Sequence, residues 1–191
     1  QGISDNTIVW FKSDNGPSYI HEFNSAGPFS GKKATLKEGG LRVPALIEWP
    51  STLSGGQTIN TPMSTSDVYP TILAALNIAL PKNQPTLDGE NVFPILLGKQ
   101  ATRRAPIAFQ SPMRGVKYDA DNSRLQYALS GDRFKLYSED NGKTWQLFDL
   151  INDPSELKDI AKQHSEIVIK MKTQLLAWAK LTKQDAKDAY K

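Results

Sequence analysis

Residues 7–44 constrain this chain more than any other stretch. An unbroken apolar run, Thr7-Ile8-Val9-Trp10-Phe11, stops at Lys12 and breaks into Ser13-Asp14-Asn15-Gly16-Pro17. β-branched and aromatic residues without polar alternation predict a strand buried on both faces, as in a parallel α/β sheet. An edge strand of an antiparallel sheet would alternate. Gly16-Pro17 turns the chain, and residues 18–30 follow with no period, dominated by Gly, Pro, Ser and Asn. Long irregular loops of this kind are usually functional or mobile. The stretch closes on Gly31-Lys32-Lys33-Ala34-Thr35-Leu36-Lys37-Glu38-Gly39-Gly40-Leu41-Arg42-Val43-Pro44. A buried strand thus delivers a carboxylate and an amide oxygen to one point, with a lysine in the loop that follows. That combination suits a hard cation bound beside an oxyanion.

The remaining chain reads as support. At 191 residues it is long enough to bury a core in one large domain or two small ones. Its 23 Lys and Arg are scattered among 20 acids, for a formal charge of +3, without the concentrated basic patch that a nucleic-acid partner requires. The absence of cysteine excludes disulfides, thiolate metal sites and a cysteine nucleophile within the chain. No apolar run approaches the roughly 20 residues of a membrane span. The polar opening Gln1-Gly2-Ile3-Ser4-Asp5-Asn6 runs straight into a strand and is no signal peptide. A domain seldom opens this way, so the chain is expected to start inside a larger fold.

Residues 41–49 predict a second strand, closed by Pro50. Ser66-Asp67 offers a cap for a helix through Val68, Tyr69, Ile72, Leu73 and Leu76, with Pro70 tolerated in its first turn and Asn77 and Pro81 beyond its end. A Pro/Asn/Gly loop covers 81–89, and a short apolar segment at 92–97 ends at Gly98. The texture changes near 98–104. The predicted domains are therefore 1–100 and 101–191.

Beyond that point, strands are predicted at 106–110, 125–130, 134–138 and 145–150. Gly131-Asp132 links the second to the third, and Asp140-Asn141-Gly142 gives a hairpin signal between the third and fourth. The alternation of Leu125/Tyr127/Leu129 and Phe134/Leu136 predicts an antiparallel sheet with one covered face. The cover is the last helix, whose Ile167, Val168, Met171, Leu175 and Trp178 form an apolar stripe. Asp153-Pro154-Ser155-Glu156 carries the capping pattern of a short helical turn.

Asp14 and Asn15 offer oxygen only, the donor type that Ca²⁺ or Mg²⁺ selects. Two ligands are too few for a Ca²⁺ site of about 6–8 oxygens, so others must come from elsewhere. Taken alone, Asp-Asn-Gly reads more readily as a turn after a strand. The longer pattern changes that reading. The strand with Ser13-Asp14-Asn15-Gly16, then Gly31-x-Lys33 and Glu38-Gly39-Gly40-Leu41-Arg42-Val43-Pro44, resembles the C-terminal half of a type I (formylglycine-dependent) sulfatase of the alkaline-phosphatase-like superfamily. Trp49-Pro50, Asp67-Val68-Tyr69-Pro70-Thr71, Asp88-Gly89, Leu147-Phe148-Asp149-Leu150 and Asp153-Pro154-x-Glu156 follow in family order, so the resemblance covers nearly the whole chain.

The resemblance implies an α/β fold: a C-terminal portion of the sulfatase domain, plus a small four-stranded antiparallel sheet packed by a C-terminal helix. It implies that Asp14 and Asn15 ligate the divalent metal, Ca²⁺ or Mg²⁺. Lys33, five residues before Glu38, would contact the sulfate group as a catalytic and substrate-binding residue. His21 is a further substrate-binding candidate from the variable loop, where a solvated histidine is the alternative. Glu38 and Arg42 read as a structural charge pair, and Gly39 and Gly40 as allowing tight turns. Lys12 departs from the small polar residue that is common there and places a charge near the metal strand. His164 reads as a capping position.

The family's nucleophile, a formylglycine made within Cys/Ser-x-Pro-x-Arg, has no counterpart in this sequence, nor does the upstream Asp-Asp pair. Ser111-Pro112-Met113-Arg114 has its proline directly after the serine and does not match. The expectation is a chain holding half of a composite site and inert alone. Its partners would be a missing N-terminal half of the same protein and a sulfate ester, of a sugar or an aryl group, with no nucleic acid and no membrane. The location implied is periplasmic or secreted. An exposed apolar strand predicts homo-oligomers of the fragment. Two alternatives stand beside this: a non-catalytic module on the same scaffold, and a phosphodiesterase or phosphonate hydrolase of the superfamily.

Overall fold

The computed structural model describes residues 2–18, 25–112 and 124–188. The elements are β1 (Val9–Lys12), α1 (Glu38–Leu41), β2 (Ala45–Glu48), α2 (Val68–Ala75), α3 (Phe93–Leu96), β3 (Ile107–Pro112), β4 (Leu125–Ser130), β5 (Phe134–Ser138), β6 (Gln146–Asp149) and α4 (Ser165–Asp188). They fall into two compact units. One comprises residues 1–13 and 44–107, the other 14–43 and 108–191. None of the described helices is long and apolar enough to cross a membrane.

In the first unit, β1 pairs antiparallel with β2, Trp10 opposite Ile47 and Phe11 opposite Leu46. This corrects the expectation of a parallel strand buried on both faces. Val9, Phe11 and Leu46 share one face of the ribbon and are 47%, 61% and 55% exposed, while Trp10 and Ile47 on the other face are half-buried. An apolar run states that both faces carry apolar side chains; whether each is covered depends on what packs there. Trp49 stacks on Phe93 of α3 with ring centroids 6.1 Å apart.

The helix cap lies earlier than Ser66-Asp67. Ser64 and Asp67 form a reciprocal capping box around a 3₁₀ turn, Thr65–Asp67, that leads into α2. The Asp67 carboxylate accepts from Ser64 N at 2.6 Å and from Glu90 N at 2.9 Å. Arg103 donates to both its oxygens, at 2.7 and 3.1 Å, in a fully buried bidentate pair. Asn77, at φ 55, ends the helix in the left-handed region.

The second unit is built on the four-stranded antiparallel sheet in the order β3-β4-β5-β6. The register pairs Leu129 with Leu136 and Leu136 with Leu147. Those three leucines join Met171 and Leu175 of α4 in one core, with Ile167, Val168 and Trp178 packed against it. The helical stripe therefore covers the sheet as its spacing predicts.

The opposite face is covered too, which a reading with one covered face does not anticipate. Ala128, Tyr137 and Phe148 point to that side and pack with Leu36 and Leu41 from the 29–41 segment. Gln126, Lys135 and Ser130 alternate onto the same face and are buried. Polar residues at strand positions look like a solvated face in a sequence. Here they meet a polar loop instead.

Candidate functional site

Asp14, Asn15, Lys33, Glu38 and Arg42 all lie in the second unit. Two backbone hydrogen bonds draw the predicted ligands together. Gly16 N donates to Gly40 O at 2.9 Å, and Lys33 N donates to Pro17 O at 3.0 Å. The Asp14-Asn15-Gly16-Pro17 turn is thus fastened to the lysine loop at both ends of the loop. Close backbone approach makes the glycines necessary. A Cβ on Gly16 would collide with the Gly39 carbonyl, and one on Gly40 with the Thr35 carbonyl. Gly39 and Gly40 lie in the helical turn α1, so they serve close packing and not the tight-turn conformations expected of them.

Lys33 occupies a turn of its own. Thr35 N and Thr35 Oγ1 both donate to Lys32 O, at 2.9 and 2.8 Å, and Ala34 adopts φ 71. A positive φ at the third residue of a turn is the type II geometry that normally takes glycine or asparagine. The arrangement leaves the Lys33 and Asp14 side chains exposed and Asn15 half-buried. An ammonium and a carboxylate are thereby presented to solvent from two hydrogen-bonded turns.

The second face of the sheet carries this loop. Gln126 Nε2 donates to Ala34 O at 3.0 Å, and its Oε1 accepts from Leu36 N at 3.2 Å and from the Tyr137 hydroxyl at 3.1 Å. Burial, with the Glu139 carboxylate beside it, pushes the Tyr137 phenol well above its ordinary value, so the hydroxyl remains a donor. The Leu36 N–H, which only donates, and the Ala34 carbonyl, which only accepts, fix which end of the Gln126 amide faces which partner. Further along, Glu156 Oε2 accepts from Glu38 N at 2.7 Å and from Ser30 Oγ at 2.8 Å. Lys135 Nζ lies 2.9 Å from Glu38 Oε1 and 3.0 Å from Glu156 Oε1, with all three groups buried.

Two readings are corrected by this network. Glu38 does not pair with Arg42: its carboxylate meets Lys135, while the Arg42 guanidinium lies over the Phe29 ring at 4.7 Å. Glu156 is no helix cap but a buried carboxylate at φ 56, reaching back to residues 30 and 38. Lys12 directs its ammonium to Thr65 Oγ1, 3.0 Å away. The His164 carbonyl accepts from Ile167 N and Val168 N at the start of α4, as a capping position should. His21 lies outside the described residues.

The donor set of Asp14 and Asn15 fits a hard divalent cation in kind but not in number. Among the described residues, no three His, Cys, Asp or Glu side chains gather as a metal cluster. Gln126, Lys135 and Glu156 were not legible as site residues. The Asp153-Pro154-x-Glu156 pattern was the available signal, and only its partners reveal its use.

Comparison with known proteins fits this architecture. The crystal structure of Ps i-CgsB superposes with a TM-score of 0.77 at 30% identity, covering 92% of this chain and 37% of that one. The phosphonate monoester hydrolase of Agrobacterium radiobacter shares the fold, with a TM-score of 0.65 at 23% identity over 92% of this chain and 35% of its own. The fold is that of the C-terminal portion of an alkaline-phosphatase-like sulfatase. Residues 29–181 match the family described as N-sulphoglucosamine sulphohydrolase, C-terminal, and the chain belongs to that family as a C-terminal part of a sulfatase. Steryl-sulfatase of Rattus norvegicus is 36% identical over 104 residues, which is 51% of this chain and 18% of that protein. Human N-acetylgalactosamine-6-sulfatase is 40% identical over 98 residues, 50% of this chain and 19% of its own. The chain thus spans under a fifth of the length of these curated relatives.

Proposed function

We propose that this chain contributes the metal- and sulfate-binding residues of a composite sulfatase active site whose nucleophile, a formylglycine, comes from a segment outside this sequence. The supporting observation is the pair of hydrogen bonds, Gly16 N to Gly40 O and Lys33 N to Pro17 O, that joins the Asp14-Asn15 turn to the Lys33 loop. Asp14 and Asn15 would hold Ca²⁺ or Mg²⁺ with oxygens supplied from elsewhere. When bound, the cation polarises the sulfate oxygens as a Lewis acid. Lys33, exposed on its turn, places a positive charge against an oxyanion and stabilises the charge that develops there as the ester bond breaks. His21 joins as a substrate contact. Residues 1–100 would complete the α/β catalytic domain, with 101–191 as its sheet-and-helix addition.

The substrate is a sulfate ester of a sugar or of an aryl or related ring alcohol, a range that the names of the steryl- and N-acetylgalactosamine-6-sulfatase relatives span. The setting is periplasmic or secreted. The test is co-expression of this chain with an upstream segment bearing Cys/Ser-x-Pro-x-Arg, assayed on aryl sulfates and sulfated amino sugars. Lys33→Ala should lower kcat/KM by about 10²–10³-fold, the range for loss of one charge-stabilising donor. Asp14→Ala should weaken cation binding and so raise the divalent-cation concentration needed for activity. Turnover by the isolated chain that tracks the protein would overturn the composite site. A reconstituted enzyme preferring phosphate or phosphonate esters would place it with the phosphonate hydrolase that shares its fold. No turnover on any ester would favour a non-catalytic module.

A further inference from the structure

The turn that carries Lys33 is not self-sufficient. Ala34 sits at φ 71, a region that a Cβ disfavours, so some other group must hold the residue after Lys33 in place. The Lys33 side chain is itself exposed and gains no rigidity from packing.

We propose that Gln126 on β4 and Glu156 after β6 are positioning residues for Lys33, a two-point clamp on the 30–38 loop. The proposal rests on Lys33 being the sulfate contact. Gln126 holds Ala34 O and Leu36 N, just beyond Lys33. Glu156 holds Ser30 Oγ and Glu38 N, on either side of it. The two grips bracket the lysine. Gln126 is 1% exposed and Glu156 4%, so water does not compete for these bonds. Each holder is fixed in turn, Gln126 by the Tyr137 hydroxyl and Glu156 by the Lys135 ammonium. Glu156 also adopts φ 56, a conformation that a non-glycine residue keeps only when its surroundings impose it.

A role confined to stability explains this arrangement poorly. Strand pairing needs none of these side-chain atoms, and an apolar layer of the same volume between sheet and loop is often as stable as a buried charged one. What the polar layer adds is a single loop conformation, because each backbone group it meets has one partner at one place.

The test is amide hydrogen exchange on the full 191-residue chain and its Gln126→Met and Glu156→Gln variants. In Gln126→Met, the amides of Lys33 and Leu36 should exchange about tenfold faster, the scale of one lost buried hydrogen bond. Those of Leu129, Leu136 and Leu147 should not change. Uniform acceleration, or none, overturns the clamp. Should Gln126→Met fail to fold, Glu156→Gln is read at Glu38 N by the same criterion. In the co-expressed enzyme, Gln126→Met should lower kcat/KM about tenfold alone, yet cost nothing further in a Lys33→Ala background, since residues acting through one group are not additive. An equal loss in both backgrounds overturns the proposal. Local acceleration with a fully active Lys33→Ala enzyme would support the clamp and overturn the sulfate-contact role, so the two failures are distinguishable.

Discussion

Lys135 shows how much one residue decides. Its ammonium is the counter-charge for two buried carboxylates, Glu38 and Glu156, and it stands on the central strand β5 with no exposure. Removing one partner of a buried ion pair leaves uncompensated charge in a medium that solvates it poorly. Lys135→Met should therefore destabilise the protein by about 3–5 kcal/mol, measurable by urea unfolding. A second substitution, Glu38→Gln, should recover part of that loss. The residue was not legible as important: between Phe134 and Leu136 a lysine looks like the solvent side of an alternating strand. Lys33, by contrast, was singled out by the family resemblance, its spacing to Glu-Gly-Gly choosing it over Lys32.

At the scale of elements, the β5–β6 connection and the end of β6 are both held by carboxylates. Asp140 accepts from the backbone and hydroxyl of Thr144, from Ser138 Oγ and from Lys143 N, and these bonds hold its carboxyl at about 2 against the usual 3.8. The hydrogen bonds from Arg133, then those from Asn152, bring Asp149 to about 2 as well. Both groups bind protons more weakly folded than unfolded, so their contribution is fully present above about pH 4. It is lost as pH falls from there through about 2. An NMR titration of the carboxyl carbons should give midpoints near pH 2. Arg133→Ala should move the Asp149 midpoint up toward 3.8 and leave Asp140 unchanged. The hairpin signal at Asp140-Asn141-Gly142 was sound in kind, with φ 63 and 75 at Asn141 and Gly142. The connection is nonetheless a longer loop, because Asp140 gathers donors from residues as far on as Thr144.

For the whole molecule, the open face of the β1–β2 ribbon matters most. Val9, Phe11 and Leu46 form an exposed apolar strip on strands that each have one pairing partner among the described residues. Such edges invite pairing with another chain. The isolated chain should associate reversibly in sedimentation velocity, and Phe11→Ser should shift it toward the monomer.

Local pattern settled a good deal of this protein without help from the fold. The four strands and the α4 stripe depend on residues near one another in sequence. Periods of two or of 3.6 and fixed short spacings are read directly from such neighbours. The stretch 7–44 was informative for that reason. Tertiary structure alone decided what holds it. Ser30 and Glu38 meet Glu156 across separations of 126 and 118 residues, and Leu36 meets Gln126 across 90. A hydrogen bond between distant residues leaves no period in the sequence; a buried glutamine, lysine or glutamate is written there as it would be on the surface. Only the folded sheet shows that its second face was built to receive that loop.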